Sequence, residues 1–160
     1  MKLSLLWVGK TKDRNIDAAI RRYMDRIGRY IPVDVLEAKE ETAAGRHAVA
    51  EVIQKEGRRL REKIPAGNEV VLLDARGREL SSEEFARFLE RKINSSSSSL
   101  KGLTFLVGGH LGVDGGTREV ADHTISLSRM TLTHEMARLV AVEQIYRGLS
   151  IIHGAQYHRR

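Results

Sequence analysis

The sequence predicts an α/β domain, a mainly parallel sheet with helices on both faces. Two observations carry this reading. Short apolar runs of strand character alternate with longer stretches whose apolar residues recur at helical spacing, the pattern of successive βα units. The 160 residues, 41% hydrophobic and 30% charged, are also the size and balance of one globular domain. No internal repeat and no linker-like stretch divides the chain, so residues 1–160 read as a single domain.

The predicted strands are Leu3–Val8, Val33–Glu37, Val70–Leu73, Leu103–Val107 and Thr124–Leu127. Ile16, Ala19, Ile20, Tyr23, Met24 and Ile27 follow the three–four spacing of an amphipathic helix. Val49, Val52, Ile53 and Leu60 mark a weaker second helix. Phe85, Phe88, Leu89 and Ile93 mark a third, opened by Ser81 and Glu84 as a capping box. A short helix is expected from about Gly116 to Ala121. The last helix, Thr133 to Leu149, differs in kind: Met136, Ala137, Leu139, Val140, Ala141, Val142, Ile145, Tyr146 and Leu149 occupy more than one face. A helix so apolar must be covered on two sides, which predicts a homodimer through it. The serines from 95 to 99 form a solvated connection with no assigned role.

Lys and Arg outnumber Asp and Glu by 27 to 21, a net charge of +6. That balance favours a polyanionic partner, RNA before a membrane surface, because neutralising phosphates releases counterions; plain solubility charge explains it equally well. There is no cysteine, which excludes disulfides, thiolate catalysis and cysteine-ligated metals. The opening apolar run is too short for a signal peptide or membrane span, so a cytoplasmic location is the default expectation.

Several catalytic patterns fail on inspection. Gly9-Lys10-Thr11 resembles the end of a phosphate-binding loop, but the required first glycine position holds Ser4. His134-Glu135 begins like a zinc-protease helix, yet Arg138 stands where the second histidine belongs, and the other histidines show no metal-ligand spacing. No metal is therefore expected. No nucleophile elbow is visible, and the glycines at 108, 109, 112, 115 and 116 do not spell a dinucleotide fingerprint. Lys10, Lys12 and Arg14 suit RNA-backbone contact or an ordinary solvated turn.

Three loops at strand ends remain: Leu73 to Gly77, Gly108 to Gly112, and Leu127 to Leu132. Strand carboxyl ends are where open α/β sheets bind ligands. The third loop mixes main-chain polar groups with Leu127, Met130 and Leu132, a lining suited to a flat neutral ring such as adenine and poorly suited to phosphate. Any one loop taken alone is as readily a turn over core leucines.

Together these residues resemble the SPOUT-superfamily RNA methyltransferases of the RlmH type. The similarity runs from Met1 to His158 and is densest at Met1-Lys2-Leu3 with Val8-Gly9-Lys10, Leu73-Asp74 with Gly77, and Phe105 to Gly109. It continues through Ser126-Leu127-Ser128 with Met130-Thr131, Glu143-Gln144 with Tyr146-Arg147, and the closing Tyr157-His158. The resemblance implies S-adenosylmethionine as methyl donor and ring N3 of a pseudouridine in large-subunit ribosomal RNA as acceptor. It also implies a C-terminal trefoil knot, which general topology rules would not supply, and a homodimer. Its cofactor site falls on Leu73, Gly108 and the run Leu127, Ser128, Arg129, Met130, Thr131 and Leu132.

The chain departs from the family pattern at Thr133 and Gln156, where proline is usual, and carries His110-Leu111 at a variable place. Threonine is a good N-cap, so the helix start should survive. A uridine-like imide must lose its proton to attack a sulfonium carbon, and candidates to assist are His134, Arg138, Tyr157 and His158. A histidine can accept the proton, whereas arginine can only stabilise an anion or grip phosphate. Tyr157-His158 is the favoured acceptor-binding tip. With no separate RNA-binding domain, the enzyme is expected to read an assembled ribosome. The competing class is a non-catalytic, ribosome-associated RNA-binding protein on the same fold.

Overall fold

The computed structural model describes residues 1–42, 48–95 and 100–155. Four serines of the 95–99 run, together with Gln156, Tyr157 and His158, lie outside the described residues. Five parallel strands are ordered β2-β1-β4-β3-β5, with β1 Lys2–Val8, β2 Val33–Ala38, β3 Asn68–Glu79, β4 Gly102–Val107 and β5 His123–Ser126. The helices are α1 Arg14–Ile27, α2 Ala48–Glu62, α3 Ser82–Ile93, α4 Gly115–Glu119 and α5 His134–Ile152.

Side-chain alternation along the strands assigns the helices to faces. Leu3, Leu5 and Trp7 of β1 and Leu103, Phe105 and Val107 of β4 pack with Ile20 and Ile27 of α1, Phe85 and Leu89 of α3, and Val142, Ile145 and Leu149 of α5. The intervening Leu6, Val8, Val70, Leu72 and Leu106 meet Leu60 of α2 on the opposite face. The central strand β4 is buried along its whole length, as a parallel strand covered on both sides must be. On the first face α5 lies between α1 and α3 over the sheet. Its flanking helices thus absorb much of the apolar surface that the sequence showed on several sides: Ala141, Val142, Ile145 and Leu149 are buried within one chain, while Leu139 and Val140 stay half-buried and Met136 is exposed.

Local signals decide the helix starts. Ser81 accepts the Glu84 amide and Glu84 returns to the Ser81 amide, the capping box expected from their spacing. Thr133 caps α5, its hydroxyl accepting the Met136 amide at 3.3 Å. The main difference from expectation is β3, which does not end at Leu73. It bulges from Asp74 to Gly77 and pairs with β5 again through Arg78 and Glu79. Gly77 permits this second approach, because a β-carbon there would sit 2.6 Å from the Ile125 carbonyl carbon.

Candidate active site

The carboxyl ends of β3, β4 and β5 and the first turn of α5 enclose a cavity of about 530 Å³, within the size range of small-molecule sites. The β3 bulge contributes Leu73, Asp74 and Ala75 to its wall. The β4–α4 loop contributes Val107 to His110 with Gly112 and Val113, and the β5–α5 connection contributes Leu127, Ser128 and Met130 to Thr133. His134 and Ala137 of α5 complete the lining.

Each wall is shaped by its own local chemistry. Gly112 has φ +89° and donates its amide to the Gly109 carbonyl at 3.0 Å, folding the β4 loop back on itself. An L side chain is strained in that conformation. In the β5 loop the Ser126 hydroxyl donates to the Ser128 carbonyl (3.0 Å) and the Ser128 hydroxyl accepts the Met130 amide (2.9 Å). Side-chain hydrogen bonds to nearby backbone thus hold an irregular segment in place of a sheet ladder. Asp74, on the rim, accepts from the Arg76 amide (2.9 Å) and from Arg118 (2.5 Å). Burial works against its ionisation, but the Arg76 amide and the Arg118 guanidinium outweigh it and hold the carboxyl below its usual range.

His134 opens α5 and faces His110 across the cavity mouth, the ring centroids 6.3 Å apart. Burial, and then the Arg138 guanidinium, push its pKa below the ordinary histidine value, against the opposing pull of Glu135. A ring so placed is neutral near pH 7 and has a lone pair to accept a proton.

Arg138 is not part of the cavity wall. Its side chain is fully buried, donating to the Thr11 hydroxyl (3.0 Å) and to the Val8 carbonyl, with the guanidinium 5.2 Å from the centre of the Trp7 ring. It fastens the first turns of α5 to the end of β1, and its charge acts on His134 one turn away. Arg129 also turns aside, pairing with Glu79 at 2.6 Å on the surface. The structure therefore gathers Leu73, Gly108, Leu127, Ser128, Met130, Thr131, Leu132 and His134 around one cavity, and places Arg129 and Arg138 outside it. Tyr157 and His158 fall beyond the described residues. Val113 carried no signal in the sequence, and Ala137 only that of an apolar helix position; packing alone brings these small residues to the wall. Among the described residues no three His, Asp or Glu side chains gather to hold a metal ion, and no helix is long and apolar enough to cross a membrane.

The sequence family described as "Predicted SPOUT methyltransferase" matches residues 1–158. Curated relatives named "Ribosomal RNA large subunit methyltransferase H" align along nearly the whole chain. The protein of Geotalea daltonii is 44% identical over 158 residues, covering 99% of both chains. That of Syntrophotalea carbinolica is 43% identical over 160 residues, covering 100% of both. The counterpart in Carboxydothermus hydrogenoformans is 40% identical, covering 99% of this chain and 100% of its own.

Proposed function

The chain belongs to the SPOUT methyltransferase family and is an S-adenosylmethionine-dependent methyltransferase; from that premise we propose that it methylates ring N3 of a pseudouridine in large-subunit ribosomal RNA. The observation that carries this reading is the convergence of three separate loops, 73–75, 107–113 and 127–134, on one apolar cavity. The name its relatives carry supplies the ribosomal RNA; the pseudouridine comes from the family resemblance.

The cavity fits the donor. Leu73, Val107, Leu127, Met130 and Leu132 offer apolar walls for an adenine ring, and the size suits a molecule of that class. When bound, S-adenosylmethionine supplies an activated methyl group on a sulfonium sulfur. The protein's own contribution is positioning and proton handling. The β4 and β5 loops hold the donor side, and the start of α5 presents His134 at the mouth. A neutral His134 accepts the imide proton, leaving an anionic ring nitrogen to attack. Arg138, held on Val8 and Thr11, keeps that turn of α5 in place and disfavours the protonated ring. The Tyr157-His158 pair is assigned to the acceptor, where an aromatic ring can stack on an unstacked base. Deleting residues 157–160 should abolish methyl transfer while leaving cofactor affinity unchanged.

The working unit is proposed as a cytoplasmic homodimer of single-domain chains acting on an assembled ribosome. Met136, Leu139 and Val140, left partly exposed on α5, support the self-association; a monomer by light scattering at micromolar concentration would rule it out. The C-terminal trefoil knot belongs to the same reading, supported by α5 returning from edge strand β5 to the middle of the sheet.

The deciding test is incubation with methyl-labelled S-adenosylmethionine and ribosomes from a strain lacking this modification, followed by digestion to nucleosides. Label on a pseudouridine is expected. Label on another nucleoside would move the acceptor, and cofactor binding with no labelled rRNA would remove the substrate.

A further inference from the structure

A second concavity of about 450 Å³ lies on the outer side of β5, against α3. Arg78, from the resumed part of β3, and Arg87 and Arg91 of α3 all line it. Arg87 and Arg91 are four residues apart and share one helix face, and all three arginines are exposed. Two carboxylates, Glu84 and Asp122, line the same notch, and both already accept hydrogen bonds. Glu84 accepts the Ser81 amide at 2.8 Å in the capping box and stands 3.9 Å from Arg78. Asp122 accepts the Val70 amide at 2.7 Å. His123 lies 3.0 Å from Glu69 and sets its ring edge-on to Phe88. Among the described residues, Arg87 and Arg91 form no salt bridge. Three arginines thus stand against two carboxylates that already have partners, which leaves the notch a net cationic hollow.

Its position matters as much as its charge. Ile125 lines the notch and Leu127 lines the cofactor cavity, and two residues span at most about 7 Å. One nucleic-acid strand can therefore reach both. We propose that Arg78, Arg87 and Arg91 form a binding site for the phosphodiester backbone of the RNA substrate, seating the strand that flanks the target base. The inference rests on the ribosomal RNA reading above. It accounts for how this fold holds a polyanion beside a cavity whose own lining is mostly apolar.

The test uses the full-length protein and large ribosomal subunits from a strain lacking the modification, comparing wild type, the double variant Arg87→Gln/Arg91→Gln, and Arg58→Gln as a control on the exposed side of α2. For the double variant, subunit affinity should fall about tenfold. The plot of log affinity against log salt should become shallower by about 2, roughly one per lost phosphate contact. KM for the subunit should rise while kcat and S-adenosylmethionine affinity hold. Wild-type affinity and slope in the double variant, or an equal loss in Arg58→Gln, would overturn the site. Failure of the wild type itself to methylate or bind the subunit would overturn the substrate reading and this site with it.

Discussion

The two concavities that share β5 are neighbours in space and opposites in chemistry. One is walled by leucines, two valines, a methionine and glycine turns, with its single rim carboxylate Asp74 neutralised by Arg118. The other is a hollow of arginines with a Phe88, Leu80 and Ile125 floor. The difference separates two tasks that one small domain must perform. A neutral, apolar cavity selects a compact cofactor by shape and main-chain contacts, largely indifferent to salt. A cationic hollow holds a polymer by counterion release and is tuned by salt.

The largest effect that sharpens this contrast should come from His134→Asn. Losing a general base costs about 10² to 10⁴ in rate, so kcat should fall by at least about a hundredfold while S-adenosylmethionine affinity changes little. The wild-type pH profile should rise through a value below 6.5, because burial and Arg138 depress the His134 pKa. The same shift affects stability with a definite sign. Below about 6.5 the unfolded chain takes up a proton that folded His134 resists, so stability falls as pH drops, and above that range the contribution is constant. An unchanged kcat in His134→Asn would remove the residue from catalysis.

Next comes Gly112→Val. A β-branched residue at φ +89° costs about 1 to 3 kcal/mol in backbone strain, equivalent to a loss of roughly 5- to 150-fold in affinity if the loop gives way. Calorimetry should show weakened S-adenosylmethionine binding and an unaffected salt slope for the RNA substrate, the reverse of what loss of the arginines does. Salt itself gives a smaller, cleaner comparison. Raising it from 50 to 200 mM should weaken subunit binding about tenfold or more and leave cofactor affinity within about twofold. Parallel responses would erase the distinction between the two sites.

The smallest effect is expected of Asp74→Asn. Its carboxyl is held below the usual range, so its contribution to stability is present at neutral pH and lost as the solution falls through and below pH 4. The substitution should lower the melting temperature by a few degrees at pH 7, for a loss of about 1 kcal/mol, and flatten that acid limb. Equal melting curves at pH 7 would show that Arg118 gains nothing from the pair.

Much of the molecule follows from sequence-local physics. The strand–helix alternation, the Ser81–Glu84 capping box, the Thr133 cap and the three strand-end loops were all legible, because each depends on residues within a few positions of one another. What packing decided lies at longer range. The sequence read β3 as ending at Leu73, whereas contact with β5 across Gly77 extends it to Glu79 and throws Asp74 and Ala75 onto the cavity rim. Arg138 had the chemistry to grip a phosphate or stabilise an anion. Its partners on β1 are some 130 positions away in the chain, and they bury it as a fastener. Arg78, Arg87 and Arg91 carried no signal in the sequence; the β3 bulge and α3 bring them to one hollow.

By itself, then, the sequence determined the secondary elements and the layered fold class, since hydrophobic period and capping are short-range properties. It also determined the family, since ordered residue matches survive without coordinates. Only the tertiary structure decided which of the candidate residues share a cavity and which arginines gather at one hollow, because both depend on contacts between segments whose separation along the chain carries no information about their separation in space.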